Sequence, residues 1–152
     1  MPTPLLRNAV GTAVQVTTAN AVANNAYANV ADRLRLNPGV GGSGHAGALL
    51  ADFRLTSVVF GAAPTTGALQ LVAVDRDTAG NAGPTPASTI LPRPVGTFTP
   101  SPTTGNASTG WIMAINAVAL SPDADYYLYN NGTGVSLGAG CVLTAQCWSP
   151  GT

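Results

Sequence analysis

Short stretches of alternating apolar and polar residues recur along this chain, separated by segments rich in glycine and proline. Alternation with a period of two is typical of a β-strand that buries one face. The clearest stretch is residues 49–60, which we expect to form a strand. Its inward face should hold Leu49, Ala51, Phe53, Leu55, Ser57 and Val59, and its outward face Asp52, Arg54 and Thr56.

Seven further segments have strand character: residues 12–18, 27–36, 68–75, 94–99, 111–120, 125–130 and 140–148. Residues 68–75 are apolar at almost every position, which predicts a central strand covered on both faces. Residues 94–99 adjoin prolines, which favours an edge strand. Residues 19–31 are rich in alanine, but four asparagines interrupt them without an apolar helical stripe, so a long helix is not expected.

These segments predict an all-β protein, an antiparallel β-sandwich that is jelly-roll-like and has about eight strands. A closed barrel is the alternative. The length of 152 residues fits one domain, and no linker or internal repeat is visible. We therefore expect residues 1–11 to form an N-terminal arm and residues 12–152 a single β-sandwich domain.

Charged residues are few in this chain, and their scarcity bears on which partners it can have. Only 8% of the residues are charged, all of them either arginine or aspartate, six of each, with a formal net charge of zero. A neutral surface protects a free protein poorly against association, so we expect partner chains to cover much of it. The alternative is a neutral surface kept soluble by Asn, Thr and Ser. The arginines are scattered along the sequence, so a nucleic-acid partner is not expected.

The sequence also disfavours a membrane partner and secretion. No segment approaches the roughly 18 consecutive apolar residues of a membrane span, so no membrane partner is expected. The first ten residues, MPTPLLRNAV, lack the basic start and apolar region of a signal peptide. We therefore expect the protein to be made in a cytoplasm and to stay there until it is assembled or released.

Candidate chemistry is weak. His45 is the only histidine and stands beside Ser43 in a glycine-rich loop, without the frame that a catalytic triad needs, so we predict no catalytic residue and no enzyme activity. Asp75, Asp77 and Asn81 partly match the oxygen ligands of a calcium loop. The simpler interpretation is that Asp77 caps a turn, in which Gly80 and Asn81 adopt positive φ, and no cofactor is expected.

The two cysteines, Cys141 and Cys147, should share one face of a strand. They would lie roughly 20 Å apart along it, too far for a disulfide. We expect both to be reduced and partly buried.

Two long loops, residues 37–48 and 76–92, are the favoured interface elements, together with the N-terminal segment 1–11. The first is glycine-rich and is expected to be mobile or moulded by a neighbour. The interface candidates are Arg7, Val40, His45, Pro84, Pro86 and Ile90.

Aromatic residues cluster late in the chain. Tyr127 and Tyr129 should share one strand face and Tyr126 the other. Such residues are more often core or interface, although an exposed face with Trp111 and Tyr129 could bind sugars.

Several motifs together resemble a known family. They are NNAYAN (24–29), ADFRLTSVVFGAAPTTG (51–67), LQLVAVDRDTAGN (69–81), VGTF (95–98) and LSPDADYYLYNNGTGVSLGAGCVLTA (120–145). This pattern is similar to small β-rich virion proteins that tailed bacteriophages encode near the major capsid gene.

The resemblance implies a capsid decoration or cement protein located on the virion surface. Its implied partners are the major capsid protein and further copies of itself, often as a homotrimer, and it implies no catalytic residues. The alternatives are a neck, tail or fibre-base component, or a β-sandwich module that binds carbohydrate or a host surface.

Overall fold

The computed structural model describes residues 7–64, 66–87, 92–106 and 110–150. The strands are β1 (Arg7–Ala9), β2 (Val14–Thr17), β3 (Ala26–Tyr27), β4 (Leu34–Leu36), β5 (Leu50–Val58), β6 (Ala68–Asp75), β7 (Arg93–Thr97), β8 (Thr99–Asn106), β9 (Gly110–Ala119), β10 (Ala124–Asn131) and β11 (Val142–Pro150). One turn of 3₁₀ helix covers Val30–Asp32.

The strands form two antiparallel sheets. The six-stranded sheet has the order β1-β11-β5-β9-β8, with β2 also pairing with β11. The five-stranded sheet has the order β3-β10-β6-β7, with β4 also pairing with β10. The predicted antiparallel β-sandwich is thereby confirmed, with β6 as a central strand and β7 at an edge.

Eleven strands are present among the described residues, where about eight were expected. β8 has the sequence TPSPTTGN, whose prolines weaken any strand pattern, and it is found at a sheet edge, where prolines are tolerated. β1 is only three exposed residues long and pairs with the end of β11. Residues 7–9 of the expected N-terminal arm therefore belong to the six-stranded sheet.

The core fills the space between the two sheets. Its largest fully buried side chains are Tyr126, Phe53, Leu34, Leu36, Leu55, Leu69, Leu71, Leu128, Leu137, Leu143, Val58 and Asn130. A second, smaller cluster of Val72, Val74 and Tyr127 lies on the outer face of the five-stranded sheet. The expectation that residues 68–75 are covered on both faces is therefore confirmed.

The single strand expected over residues 27–36 is wrong, because β3 and β4 are separated by the 3₁₀ turn. Asp32, within that turn, is buried, and its Oδ1 accepts a hydrogen bond from the Ala19 backbone N–H at 3.1 Å. The aspartate that interrupts the sequence pattern thus ties the turn to an earlier segment.

The alternation of buried and exposed positions expected in residues 49–60 is found in the middle of β5 but not at its ends. Ser57 has a φ of 56° at a register shift between β5 and β9, so it is exposed while Val58 is fully buried. An extra residue of this kind reverses the inside–outside phase of everything after it. Leu49, expected to face inward, is 60% exposed.

The chain crosses from one sheet to the other at Phe98, which is buried between the end of β7 and the start of β8. A Cβ atom added at Gly96 would lie 3.1 Å from Cγ2 of Ile115, on the facing sheet. Gly96 and Phe98 therefore explain the VGTF motif as a corner where the two sheets come close together.

A buried polar network organises the end of β10. Asn130 is fully buried, and its amide nitrogen donates to the Val22 carbonyl at 3.0 Å and the Val135 carbonyl at 2.8 Å. Thr133 donates its hydroxyl proton to Asn130 Oδ1 at 2.6 Å. Every hydrogen-bonding atom of the Asn130 amide group thus meets a partner, as a buried amide requires.

The NNAYAN motif supports the same turn from outside. The side-chain oxygen of Asn25 accepts the Gly132 N–H at 2.9 Å, and that of Asn24 accepts the Gly134 N–H at 3.0 Å. Two motifs that lie more than 100 residues apart in the sequence therefore form one structural unit.

Candidate functional site

The two loops that the sequence favours as interface elements converge at one end of the sandwich. Between them is an open cleft with a volume of about 500 Å³, called the loop cleft here. Gly39 and Val40 line it from the first loop, Asp77–Gly80 from the second, and Ser121–Asp123 from the segment before β10.

Hydrogen bonds within the first loop and to Pro122 hold the loop in place. Gly39 donates to the Pro122 carbonyl at 2.8 Å, and Gly47 donates to the Pro38 carbonyl at 3.0 Å. His45 is half-buried, and its Nδ1 lies 3.1 Å from Oδ1 of Asn37. His45 therefore helps to shape the loop in which it lies.

The second loop begins with a tight turn. Oδ1 of Asp77 accepts the Asn81 backbone N–H, and Oδ2 accepts the Asn81 side-chain amide, both at 2.7 Å. These hydrogen bonds, led by the side-chain one, lower the pKa of Asp77. Gly80 has a φ of 78° and donates to the Asp77 carbonyl.

The three candidate metal ligands do not converge. Oδ1 of Asp75 faces the guanidinium of Arg93 at 3.4 Å, whereas Asp77 and Asn81 bond to each other. Within the described ranges, no cluster of three or more His, Cys, Asp or Glu side chains could hold a metal ion.

Arg35, Arg76 and Asp123, which line the loop cleft, belong to an ion-pair network that also includes the buried Asp125. Asp125 receives Nε of Arg76 at 3.1 Å and Nη2 at 3.0 Å on its Oδ1, and its side chain is only 1% exposed. Asp123 receives Nε of Arg35 at 3.0 Å and Nη2 at 2.6 Å in a two-pronged pairing. The hydrogen bond to Asp123 is the main reason why the pKa of Arg35 is raised.

Strand pairing explains why these charges meet. Asp75 at the end of β6 is opposite Ala124 at the start of β10, which places Arg76 next to Asp123. The Arg76 backbone N–H donates to the Asp123 carbonyl at 3.0 Å. The network thus follows from the antiparallel register.

Five of the six arginines form ion pairs with aspartates of the same chain. They are Arg7 with Asp52, Arg33 with Asp125, Arg35 with Asp123, Arg76 with Asp123 and Asp125, and Arg93 with Asp75. Sequence reasoning treated the arginines as scattered, because nothing in the local sequence predicts which strands become neighbours. Arg54 is exposed on β5.

Exposed large hydrophobic residues are few in the described part of the chain. They are Val30, Val40 and Leu49, with exposed fractions of 37%, 42% and 60%. Two of them belong to the first loop or directly follow it. This end of the sandwich therefore combines exposed apolar side chains with a cleft in which Arg35, Arg76 and Asp123 are ion-paired.

Arg7, Pro84 and Pro86 are not among the residues that line the loop cleft. Arg7 bonds to Asp52 at 2.8 Å and lies over the ring of Trp148, 4.3 Å from its centroid. Pro84 is exposed, but Pro86 is buried. Ile90 lies outside the described residues.

Part of the second loop lies against the outer face of the five-stranded sheet. A Cβ atom added at Gly83 would lie 2.4 Å from Cγ1 of Val74 in β6. The buried Pro86 belongs to the same stretch, so part of this loop covers the protein's own sheet.

The aromatic residues divide as expected. Tyr126 packs in the core against Phe53, with ring centroids 5.0 Å apart, while Tyr127 and Tyr129 lie on the outer face. Trp111 belongs to β9 in the other sheet, so it does not share a sheet face with Tyr129. The aromatic partner of Tyr129 is Tyr27, which sequence reasoning did not select.

Both cysteines are unpaired and buried on the inner face, as expected. Burial raises the pKa of the Cys141 thiol to about 12 and that of Cys147 to about 11. Thiols with such high pKa values are poor nucleophiles at neutral pH.

The described residues contain no candidate for a membrane-spanning helix. Comparison with known proteins adds no relative: no family model, no curated protein and no solved structure matches this chain.

Proposed function

We propose that this chain is a structural protein of a tailed-bacteriophage virion, a capsid decoration or cement protein that binds the major capsid protein. In this proposal it is not an enzyme, and it acts on the capsid surface as a homotrimer. The motif resemblance given above suggests this role, and the distribution of charge supports it.

The observation that carries the proposal is the internal pairing of charge. Five of six arginines face aspartates of their own chain, which leaves a surface made mainly of neutral polar and small apolar groups. A partner that covers such a surface removes few unpaired charges from water, and removing charges from water is the main cost of burying them. The chain is therefore suited to extensive contact with neighbouring subunits.

The end that carries the loop cleft is the proposed docking surface. Val40 and Leu49 supply exposed apolar area there, and hydrogen bonds hold the first loop in shape before binding. A preformed loop loses little conformational freedom on association, which favours affinity.

Binding would stabilise the shell by mass action. If the expanded shell offers a better complementary surface than its precursor, each bound copy shifts the equilibrium toward the expanded form. The required quantity is a difference in affinity between the two shell states.

Cryo-electron microscopy of the phage particle that contains this chain tests the placement. We expect density for the sandwich at repeated positions over the shell, in copy numbers comparable to the major capsid protein. Density confined to the neck, tail or fibre base would contradict the capsid role and favour the alternative virion position. Size-exclusion chromatography with light scattering tests the trimer separately.

Val40→Asp and Leu49→Asp test the docking surface. Each places a charge in the proposed interface, so occupancy of the shell should fall while the melting temperature of the free chain stays unchanged. Thr17→Asp, an exposed position on β2, is the matched control and should bind normally. If all three variants occupied the shell as fully as the unmodified chain, the proposed docking surface would be rejected. The capsid role would then still be tested by the microscopy.

A further inference from the structure

A second concave site lies on the outer face of the five-stranded sheet, away from the residues that line the loop cleft. It is a groove of about 660 Å³, called the tyrosine groove here, between residues 25–30 on one side and 85–87 on the other, with Tyr129 at its base. This volume falls within the range of small-ligand sites.

An aromatic pair forms its base. The rings of Tyr27 and Tyr129 stack with centroids 4.4 Å apart and planes inclined by 21°, and both residues are half-buried. Their strands pair so that the two tyrosines are opposite each other. Tyr27 belongs to β3, the last strand on this side of the sheet path, so no strand that the structure describes follows beyond the pair.

The lining of the tyrosine groove is uncharged. None of the described residues that line it is an arginine, an aspartate or a histidine. Asn25, Asn29 and Thr85 are exposed and carry amide or hydroxyl groups that can donate and accept hydrogen bonds.

We infer that the tyrosine groove binds a neutral carbohydrate. The apolar face of a pyranose ring packs against a flat aromatic surface, and its hydroxyl groups need neutral donors and acceptors, which are the groups found here. The absence of charge among the described lining residues disfavours acidic sugars, since a buried carboxylate would have no cation to pair with.

A proline-rich peptide is the competing occupant, because such peptides also dock on aromatic grooves. Those peptides fit between separate aromatic ridges. Here the two rings stack directly on each other, and that contact leaves no slot between them for a proline ring. The geometry therefore offers one platform, which favours a sugar.

NMR titration of the full chain tests the inference. The probes are maltotriose, cellotriose and N,N′,N″-triacetylchitotriose as neutral sugars, sialyllactose as an acidic sugar, and a heptaproline peptide. We expect saturable amide shifts from at least one neutral trisaccharide, concentrated on residues 25–30, 85, 87 and 129. Sialyllactose and the peptide should cause none there.

Two substitutions at one position separate ring stacking from folding. Tyr27→Leu keeps apolar bulk but removes the aromatic face, so it should weaken sugar binding by about tenfold or more. Tyr27→Phe keeps the ring and should bind within about threefold of the unmodified chain. Thr144→Ala, on the other sheet, should leave binding unchanged.

The inference is overturned if no neutral trisaccharide gives saturable shifts in the tyrosine groove, if only the peptide does, or if Tyr27→Leu binds as tightly as the unmodified chain. The test uses the free chain without virions. Its failure therefore leaves the proposed capsid role untouched, and failure of that role leaves this test valid.

Discussion

Asn130 is the polar residue on which the end of β10 depends. Its amide bonds to two carbonyls and one hydroxyl within a site from which solvent is excluded. A net hydrogen bond contributes only about 1 kcal/mol, but a buried group left without its partner costs about 1–3 kcal/mol. The Val22 carbonyl also accepts the Leu137 N–H, and the Thr133 hydroxyl also reaches the Val135 carbonyl at 2.9 Å. Loss of the Asn130 amide would therefore remove three hydrogen bonds while each of its partners keeps another.

Asn130→Leu should lower the free energy of unfolding by about 3 kcal/mol, because it removes three hydrogen bonds that contribute about 1 kcal/mol each. Urea denaturation measures this. Asn131→Leu changes the neighbouring, half-buried residue and should cost less than about 1 kcal/mol. If both variants lost the same free energy of unfolding, the hydrogen bonds of Asn130 would not stabilise the fold.

Ala117 occupies a backbone conformation that suits glycine. Its φ is 57°, where a Cβ atom is strained, and its N–H donates to Oδ1 of Asp52 at 2.7 Å. The bulge in β9 and the ion pair between Arg7 and Asp52 hold this conformation in place. The strain is thus retained by surrounding contacts.

Ala117→Gly should raise the free energy of unfolding by about 0.5–1 kcal/mol, since relief of the Cβ strain exceeds the added freedom of the unfolded chain. Ala119→Gly, at an exposed position of the same strand without positive φ, should lower it by a similar amount. Thermal denaturation of the two variants shows whether each substitution raises or lowers the free energy of unfolding. Destabilisation by both would mean that Ala117 is not strained.

The pairing of β6 with β10 and of β10 with β4 brings together the ion-pair network at the loop cleft. Arg76 follows β6, Arg35 lies in β4, and Asp125 lies in β10, so each charge comes from a different element. The side chains of Arg76 and Asp125 are 8% and 1% exposed, so removing one partner leaves the other in a poorly solvated place.

Arg76→Met should lower the free energy of unfolding by about 3 kcal/mol, because Asp125 stays buried with only the more distant Arg33. Arg54→Met removes an exposed arginine and should change it by less than about 0.5 kcal/mol. Chemical denaturation of both variants at neutral pH makes the comparison.

Adding Asp125→Asn to Arg76→Met should restore part of the lost free energy of unfolding, because the buried carboxylate without its partner is then replaced by a neutral amide. A double variant that is less stable than the single one would contradict this electrostatic account and indicate a packing role for Asp125.

At the scale of the whole molecule, the two thiols report on the sandwich as a unit. Both face the core, and burial favours the neutral thiol over the thiolate, which raises their pKa values to about 12 and about 11. In the unfolded chain a thiol ionises near its ordinary value of 9.0. The unfolded state therefore gains stability from ionisation as the pH rises above that value, before the folded state does.

The free energy of unfolding should accordingly be constant with respect to these thiols below about pH 8 and should fall as the pH rises toward 11. The variant Cys141→Ala/Cys147→Ala should lose less stability between about pH 8 and pH 10.5 than the unmodified chain. Tyrosine ionisation is common to both proteins and cancels in the comparison. An identical loss would contradict the buried-thiol explanation.

The strands and their main faces are properties that the sequence determined locally. Alternation places Phe53 and Leu55 inward, a nearly continuous apolar run makes β6 central, and prolines keep β7 at an edge, because a period of two acts within each strand. The all-β sandwich could therefore be predicted from the pattern. β8 escaped prediction because its prolines conceal it.

The pairing of distant residues was decided only by the tertiary structure. Arg35 meets Asp123 across 88 positions and Gly134 meets Asn24 across 110, and no local pattern specifies such neighbours. The bulge at Ser57 likewise depends on its partner strand. The candidate site follows the same division: the sequence identified two exposed loops, but only the register of β6 against β10 brought them together over one paired set of charges, because strand pairing is a long-range choice.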